Sequence, residues 1–209
     1  MNHQVVKDIT SVASRFTLKG KKSLVTGAKG GIGKATATAF AELGADVAIV
    51  DLPSALDESR AVAKSLSERF GVKAIAVGAD LAQEEDVKAM VRQVVEAFGT
   101  IDVVHSNAGI FAMGDNPDMP VIYFPRIVDI NLVGMFLVNR ECANVMIAHK
   151  HGGSIINTAS MSGTIINPTR LESDYMVAYT ASKAGAKHLT KGMAVNYIKH
   201  GIRVNSIMP

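Results

Sequence analysis

Six short runs rich in β-branched and small apolar residues, each separated from the next by a longer stretch of helical patterning, constrain this chain more than any other feature. They are "SLVTG" (23–27), "DVAIVD" (46–51), "KAIAVGAD" (73–80), "IDVVHSNAG" (101–109), "GSIINTAS" (153–160) and "IRVNSIMP" (202–209). Their apolar character is nearly continuous rather than alternating, which suits parallel strands covered on both faces. Between them the pattern predicts helices over about 32–43, 55–70, 83–98, 125–150 and 176–200, each long enough to carry the chain across a sheet. The expected fold is α/β, a doubly wound parallel sheet, with ligands beyond the carboxyl ends of the strands.

At 209 residues and 48% hydrophobic, the chain can bury one sizeable core. No apolar run approaches the roughly 18 residues a membrane span needs. The opening "MNHQVVKDITSVASRF" lacks a secretory apolar stretch and reads as a polar leader over 1–17. A single domain over 18–209 is expected to follow it, in a cytoplasmic protein. Cys142 is the sole cysteine, which excludes an intramolecular disulfide and a multi-cysteine metal site. Its helical setting, "LVNRECANVMIA", predicts a packed side chain. A net charge of +3, with the "KGKK" cluster confined to 19–22, implies no nucleic-acid partner. "HKH" at 149–151 reads as a basic helix end before Gly152 and Gly153 rather than a metal site.

The glycine run "TGAKGGIG" sits between the first strand and the first helix, with Gly27, Gly31 and Gly33 spaced G-x-x-x-G-x-G. Four glycines in seven residues permit a tight turn and close approach of a pyrophosphate to the N–H groups that open a helix. Gly27, Lys29, Gly31, Ile32 and Gly33 are therefore candidate cofactor-binding residues. Asp51 ends the second strand about 20 residues later, where a carboxylate can bond both hydroxyls of an adenosine ribose and repel a 2′-phosphate. Lys29 is a counter-signal, since a cation in the loop could pair with that phosphate. NAD is favoured over NADP.

From about residue 18 to the end, the chain resembles the short-chain dehydrogenase/reductase family, with the motifs in family order. "TGAKGGIG" corresponds to the cofactor loop, Asp80 and Leu81 to the adenine-contacting step, and "SNAG" to the family's Asn-Asn-Ala-Gly, with Asn107, Ala108 and Gly109 kept and Ser106 in place of the first asparagine. "NLVGMF" supplies Asn131, "NTAS" supplies Ser160, and "YTASK" supplies Tyr179 and Lys183. Taken singly, each could be an ordinary helix or turn residue; together they describe a catalytic set. A free phenol titrates near 10, too high for a base around neutrality. Lys183, one helical turn from Tyr179, can place its ammonium near that phenol and favour the phenolate. The resemblance implies that Lys183 also holds the nicotinamide ribose, that Ser160 bonds the reacting oxygen, and that Asn131 holds a water linking Lys183 to solvent.

Two departures stand out. Between Ser160 and Tyr179 lie the 18 residues "MSGTIINPTRLESDYMVA", longer than the family's usual loop. Arg170, Glu172 and Asp174 within it could bond a polyhydroxylated substrate, and Tyr175, which has Tyr179 rather than lysine four residues on, is a pocket or packing residue. "SMSG" and the following "NP" resemble the sugar-alcohol members. Second, the chain ends at "IMP", where the family continues for roughly 40–60 residues, so a final strand and helix are expected to be missing. The expected activity is hydride transfer between NAD and a secondary alcohol or ketone, on a small polyol or keto-sugar. Alternatives are a larger apolar ketone, or a catalytically silent dinucleotide-binding module. The resemblance further implies a homodimer or homotetramer joined through the two longest helices.

Overall fold

Six strands form one parallel sheet, in which the four inner ones have a partner on each side and the outer two are edges. The computed structural model describes residues 16–111, 120–166 and 176–209. Strands β1 (Lys22–Thr26), β2 (Asp46–Asp51), β3 (Ala74–Gly78), β4 (Val103–Ser106), β5 (Gly153–Thr158) and β6 (Ile202–Ile207) pair in parallel in the order β3-β2-β1-β4-β5-β6. Each lies within or beside its predicted run. Several runs overshoot the sheet at the carboxyl end, and the overshoot is informative: Asn107, Ala108, Gly109 and Ser160 leave the ladder as loops.

Successive strand residues serve opposite faces. Leu24, Val104 and Ile155 pack with helices α3 (Glu84–Phe98), α5 (Met135–His149) and α6 (Val177–Tyr197), while Val25, Val47 and Ile49 pack with α1 (Gly31–Glu42) and α2 (Leu56–Phe70). Helices α2 and α3 stop at Gly71 and Gly99, both left-handed, where glycine carries no Cβ penalty. Cys142 is completely buried in the α5 layer, and burial pushes its thiol pKa up.

The helix expected over 125–150 runs without a break from Tyr123 to His149 but is not α-helical throughout. It divides into α4 (Tyr123–Val128), a π-helical turn at Asp129–Gly134, and α5. Gly134 lies so close to the preceding loop that a Cβ there would meet the Leu81 carbonyl oxygen at 2.8 Å. The helix thus passes against Leu81 with one turn widened, and Asn131 sits inside that turn. Beneath it a buried polar chain ties four elements together. Ser106 Oγ donates to Asn139 Oδ1 (2.6 Å), Asn139 Nδ2 to Asn157 Oδ1 (2.8 Å), and Asn157 Nδ2 to Thr190 Oγ1 (2.9 Å). Ser106 therefore has its own partner in α5. No helix among the described residues is long and apolar enough to cross a membrane. Arg170, Glu172, Asp174 and Tyr175 lie outside the described residues, as do residues 1–15 of the expected leader.

Candidate active site

Strands β1 and β4 are neighbours in space although β2 and β3 intervene in sequence, so the chain leaves them in opposite directions and opens a crevice at their carboxyl ends. Gly27 turns out of β1 with φ +63°, and a Cβ there would sit 2.9 Å from Ala108 Cα. Gly33 is tighter still: a Cβ would meet the Gly27 carbonyl oxygen at 2.2 Å and Asn107 Nδ2 at 2.7 Å. Asn107 completes this contact by donating through Nδ2 to the Thr26 and Gly27 carbonyls, at 3.1 and 3.3 Å. Its backbone N–H and that of Ala108 both donate to Thr26 Oγ1 at 3.0 Å. Gly33 and Asn107 are thus the foundation of the loop.

In front of that foundation, Gly27, Asp51, Asp80, Leu81, Ala108 and Gly109 line one cleft. Asp51 Oδ2 accepts the Lys29 backbone N–H at 3.2 Å and Oδ1 that of Leu52 at 3.0 Å, which fixes the carboxylate at the rim. Asp80 shapes its own turn by accepting the Ala82 N–H at 3.0 Å. Helix α1 begins at Gly31 behind Gly30, with no side-chain cap and no acid in its first turn, and the space a Cβ would fill at Gly30 or Gly31 is open. Unpaired N–H groups, absent acids and open approach fit a pyrophosphate, so these residues suit a dinucleotide.

At the other end of the crevice Asn131 and Lys183 meet at Gly109, where a Cβ would lie 3.1 Å from Asn131 Oδ1 and 3.2 Å from Lys183 Nζ, and Tyr179 stands beside Lys183. Lys183 is buried, donates to the Thr158 carbonyl at 2.8 Å and lies 5.7 Å from the centroid of the Tyr179 ring. Burial lowers its pKa to about 8, so it remains largely charged at neutrality. Ser160 Oγ accepts the Ser162 N–H at 3.2 Å, which leaves its own O–H to donate. Asn131, fully buried in the π turn, clamps Ile110 from both sides: Oδ1 accepts its N–H and Nδ2 donates to its carbonyl, each at 2.8 Å. Nδ2 also donates to Ser182 Oγ at 3.1 Å, and Ser182 in turn donates to the Tyr179 carbonyl at 2.7 Å. The Asn131 side chain thus makes three bonds to protein groups and keeps one Oδ1 lone pair beyond them.

This geometry is that of a nicotinamide-dependent oxidoreductase, and comparison with known proteins decides the family. Residues 21–209 match the family model described as short chain dehydrogenase. The chain belongs to the short-chain dehydrogenase family. It is 40% identical to a sorbose reductase from Candida albicans, with 96% of this chain and 69% of that protein aligned. It is also 40% identical to an L-rhamnose 1-dehydrogenase (NAD(P)(+)) from a Sphingomonas species, over 92% of this chain and 72% of that one. A solved short-chain type dehydrogenase/reductase from Mycobacterium marinum superposes with a TM-score of 0.89 at 42% identity, covering 96% of this chain and 78% of that one. This short-chain dehydrogenase is an NAD(P)-dependent oxidoreductase acting on CH–OH groups.

Sequence reasoning missed four residues that hold the dehydrogenase site together. Ser182 lies inside "YTASK" but reads there as a small filler. Thr26 gives no signal beyond beginning the glycine motif, and Thr158 acts on Lys183 through a backbone carbonyl that any residue could supply. His105, buried in β4, is 2.8 Å through Nε2 from Thr158 Oγ1, which donates to Asn107 Oδ1 at 3.2 Å. A hydroxyl has one proton, so His105 Nε2 is the donor in this chain. Burial lowers its pKa to about 4, which keeps the imidazole neutral at pH 7. A histidine between the apolar Val103–Val104 pair and Ser106 in a buried strand was the available clue.

Proposed function

We propose that this short-chain dehydrogenase moves hydride between NAD and a secondary alcohol or ketone of a small polyol or keto-sugar, with Tyr179 as acid/base. The observation that carries the reading is the buried Lys183 ammonium, tethered to Thr158 beside the Tyr179 ring. A positive charge there favours the phenolate, and the phenolate takes the hydroxyl proton of the substrate. Ser160, with its O–H unspent, donates to the reacting oxygen as charge develops on it. Asn131 and Ser182 fix the helical turn that presents Tyr179. Gly27, Gly31, Ile32 and Gly33 form the loop and helix start that would receive the pyrophosphate, Asp51 the adenosine ribose, and Asp80 and Leu81 the adenine. The nicotinamide, when bound, supplies the hydride chemistry. Asp51 supports NAD over NADP, because a carboxylate at the ribose opposes a 2′-phosphate.

The sugar-directed names of the two curated relatives support the substrate class. A second reading, a larger apolar ketone, has its own support in Phe111: its ring stands edge-on to Tyr179 with centroids 6.4 Å apart and is 61% exposed, an apolar wall beside the base. A homo-oligomer in the cytoplasm completes the proposal. The exposed Val133, Phe136, Val195 and Ile198 on or beside the long helices supply apolar surface for such pairing. Following nicotinamide absorbance over sugar alcohols, keto-sugars and apolar ketones separates the substrate readings. In the same assay Tyr179→Phe should lower turnover about 10³-fold, with NADH binding by fluorescence retained. Undiminished turnover would overturn the mechanism.

A further inference from the structure

Lys29 extends from the glycine loop beside Asp51, yet it does not stand free at the rim. Its backbone N–H is bound by the Asp51 carboxylate, and its ammonium lies 3.0 Å from Glu58 Oε2 on α2. The two acids in the first turn of α2 behave differently. Asp57, 95% exposed, pairs within its own helix with Arg60 at 2.9 Å. Glu58 reaches across to the cofactor loop instead. There it shares a groove with Lys29, Lys34, Thr38 and Arg69, so three cations and one acid border that space. A groove with that composition would attract a phosphate dianion if its acid were neutralised. The contact with Glu58, reinforced by the Asp51 charge, also raises the Lys29 pKa, so the ammonium is a permanent charge around neutrality.

We infer that Glu58 is a positioning residue for cofactor choice: it holds the Lys29 ammonium away from the adenosine ribose and so widens the preference for NAD that Asp51 begins. This rests on the NAD reading above and adds to it a residue that touches no substrate and no reacting atom. A 2′-phosphate approaching Asp51 meets a repelling carboxylate, and the nearest loop cation is already neutralised. Neutralising Glu58 releases Lys29 without altering Asp51. Discrimination by this chain is then the sum of a direct repulsion and a withheld attraction.

Binding of NADPH and NADH, followed by fluorescence titration of the full chain, tests this without knowledge of the substrate. Glu58→Gln should tighten NADPH about two- to fivefold relative to NADH, the range set by an exposed ion pair. The gain should shrink as salt is raised. Glu58→Gln combined with Lys29→Met should lose the gain, because the released cation is gone. Glu68→Gln removes a carboxylate from the far end of the same helix, 3.8 Å from Lys64, and measures the effect of general charge loss. A Glu58→Gln shift no larger than that of Glu68→Gln, or one that persists without Lys29, overturns the inference. Tighter binding of NADPH than NADH by the unaltered protein would instead overturn the NAD reading. The Glu58→Gln shift is read independently of that result.

Discussion

The two ends of the crevice are held by opposite means. Around Gly27 and Gly33 the backbone packs on itself, and the absence of side chains makes the contact possible. Around Tyr179 and Lys183, buried polar side chains do the holding: Asn131 to Ile110 and Ser182, Ser182 to Tyr179, Lys183 to Thr158. The difference follows from what each end must present. A pyrophosphate is recognised by backbone N–H groups and needs bare approach, whereas acid/base chemistry needs one phenol and one ammonium in fixed relation. The first end should fail when atoms are added. The second should fail when they are removed.

The largest effect tests the first half of that statement. Gly33→Ala forces a Cβ into the Gly27 carbonyl and Asn107. Overpacking against backbone should cost about 3 kcal/mol, a fall of roughly 6–12 °C in thermal midpoint for a chain of this size. Gly30→Ala is the contrast, since nothing lies within 4 Å of its Cβ position. It should leave the midpoint within about 2 °C while weakening NADH binding, because the added methyl faces the approach to α1. Equal midpoints for the two variants would break the distinction between foundation and approach.

Removal at the other end comes next. Asn131→Ala strands the Ile110 N–H and carbonyl together with its bond to Ser182 Oγ. The expected cost is about 2–3 kcal/mol, the penalty for unsatisfied buried groups. Turnover should fall by about tenfold or more, since Tyr179 loses a support, and NADH affinity should change much less. A variant that loses cofactor affinity as steeply as turnover would show that the two ends are not separately held.

The first end was the more legible in sequence for the same physical reason. Glycine is a positive signal where backbone must approach backbone, and the Gly27–Gly33 spacing, with Asp51 one strand later, could be read directly. The parallel sheet was legible because strands buried on both faces lose their alternation. At the second end the residues proposed to react, Ser160, Tyr179 and Lys183, could be singled out only as a set and through resemblance. Of their supports Asn131 came with that set, but Ser182 read as a small filler and Thr158 gave no signal, because a carbonyl is present at every position. The π turn at Asp129–Gly134 escaped for a related reason: helical periodicity over 125–150 does not register one widened turn, and the contact of that turn with Leu81 joins residues some 50 positions apart in sequence.

His105 joins the two ends, through Thr158 to Asn107 on the loop side and to the Lys183 carbonyl partner on the other, and it predicts the smallest and most specific effect. Its pKa falls from 6.5 to about 4 in the fold, where Nδ1 has no hydrogen-bond partner among the described residues and a charged ring would be poorly solvated. Below 6.5 the unfolded chain takes up a proton that the folded chain refuses, so unfolding binds protons and stability falls as the pH drops. Stability from this group is complete above pH 6.5 and lost progressively toward pH 4. Between pH 7 and pH 5 the loss should be about 2 kcal/mol. Other groups titrate in the same interval, so the measurement is a difference: urea midpoints of the wild type and His105→Val, each at both pH values. The variant should lose about 2 kcal/mol less than the wild type over that span, even if its stability at pH 7 differs. Parallel pH dependences would mean that His105 protonates in place without disturbing Thr158, and that the junction between the two ends tolerates a charge.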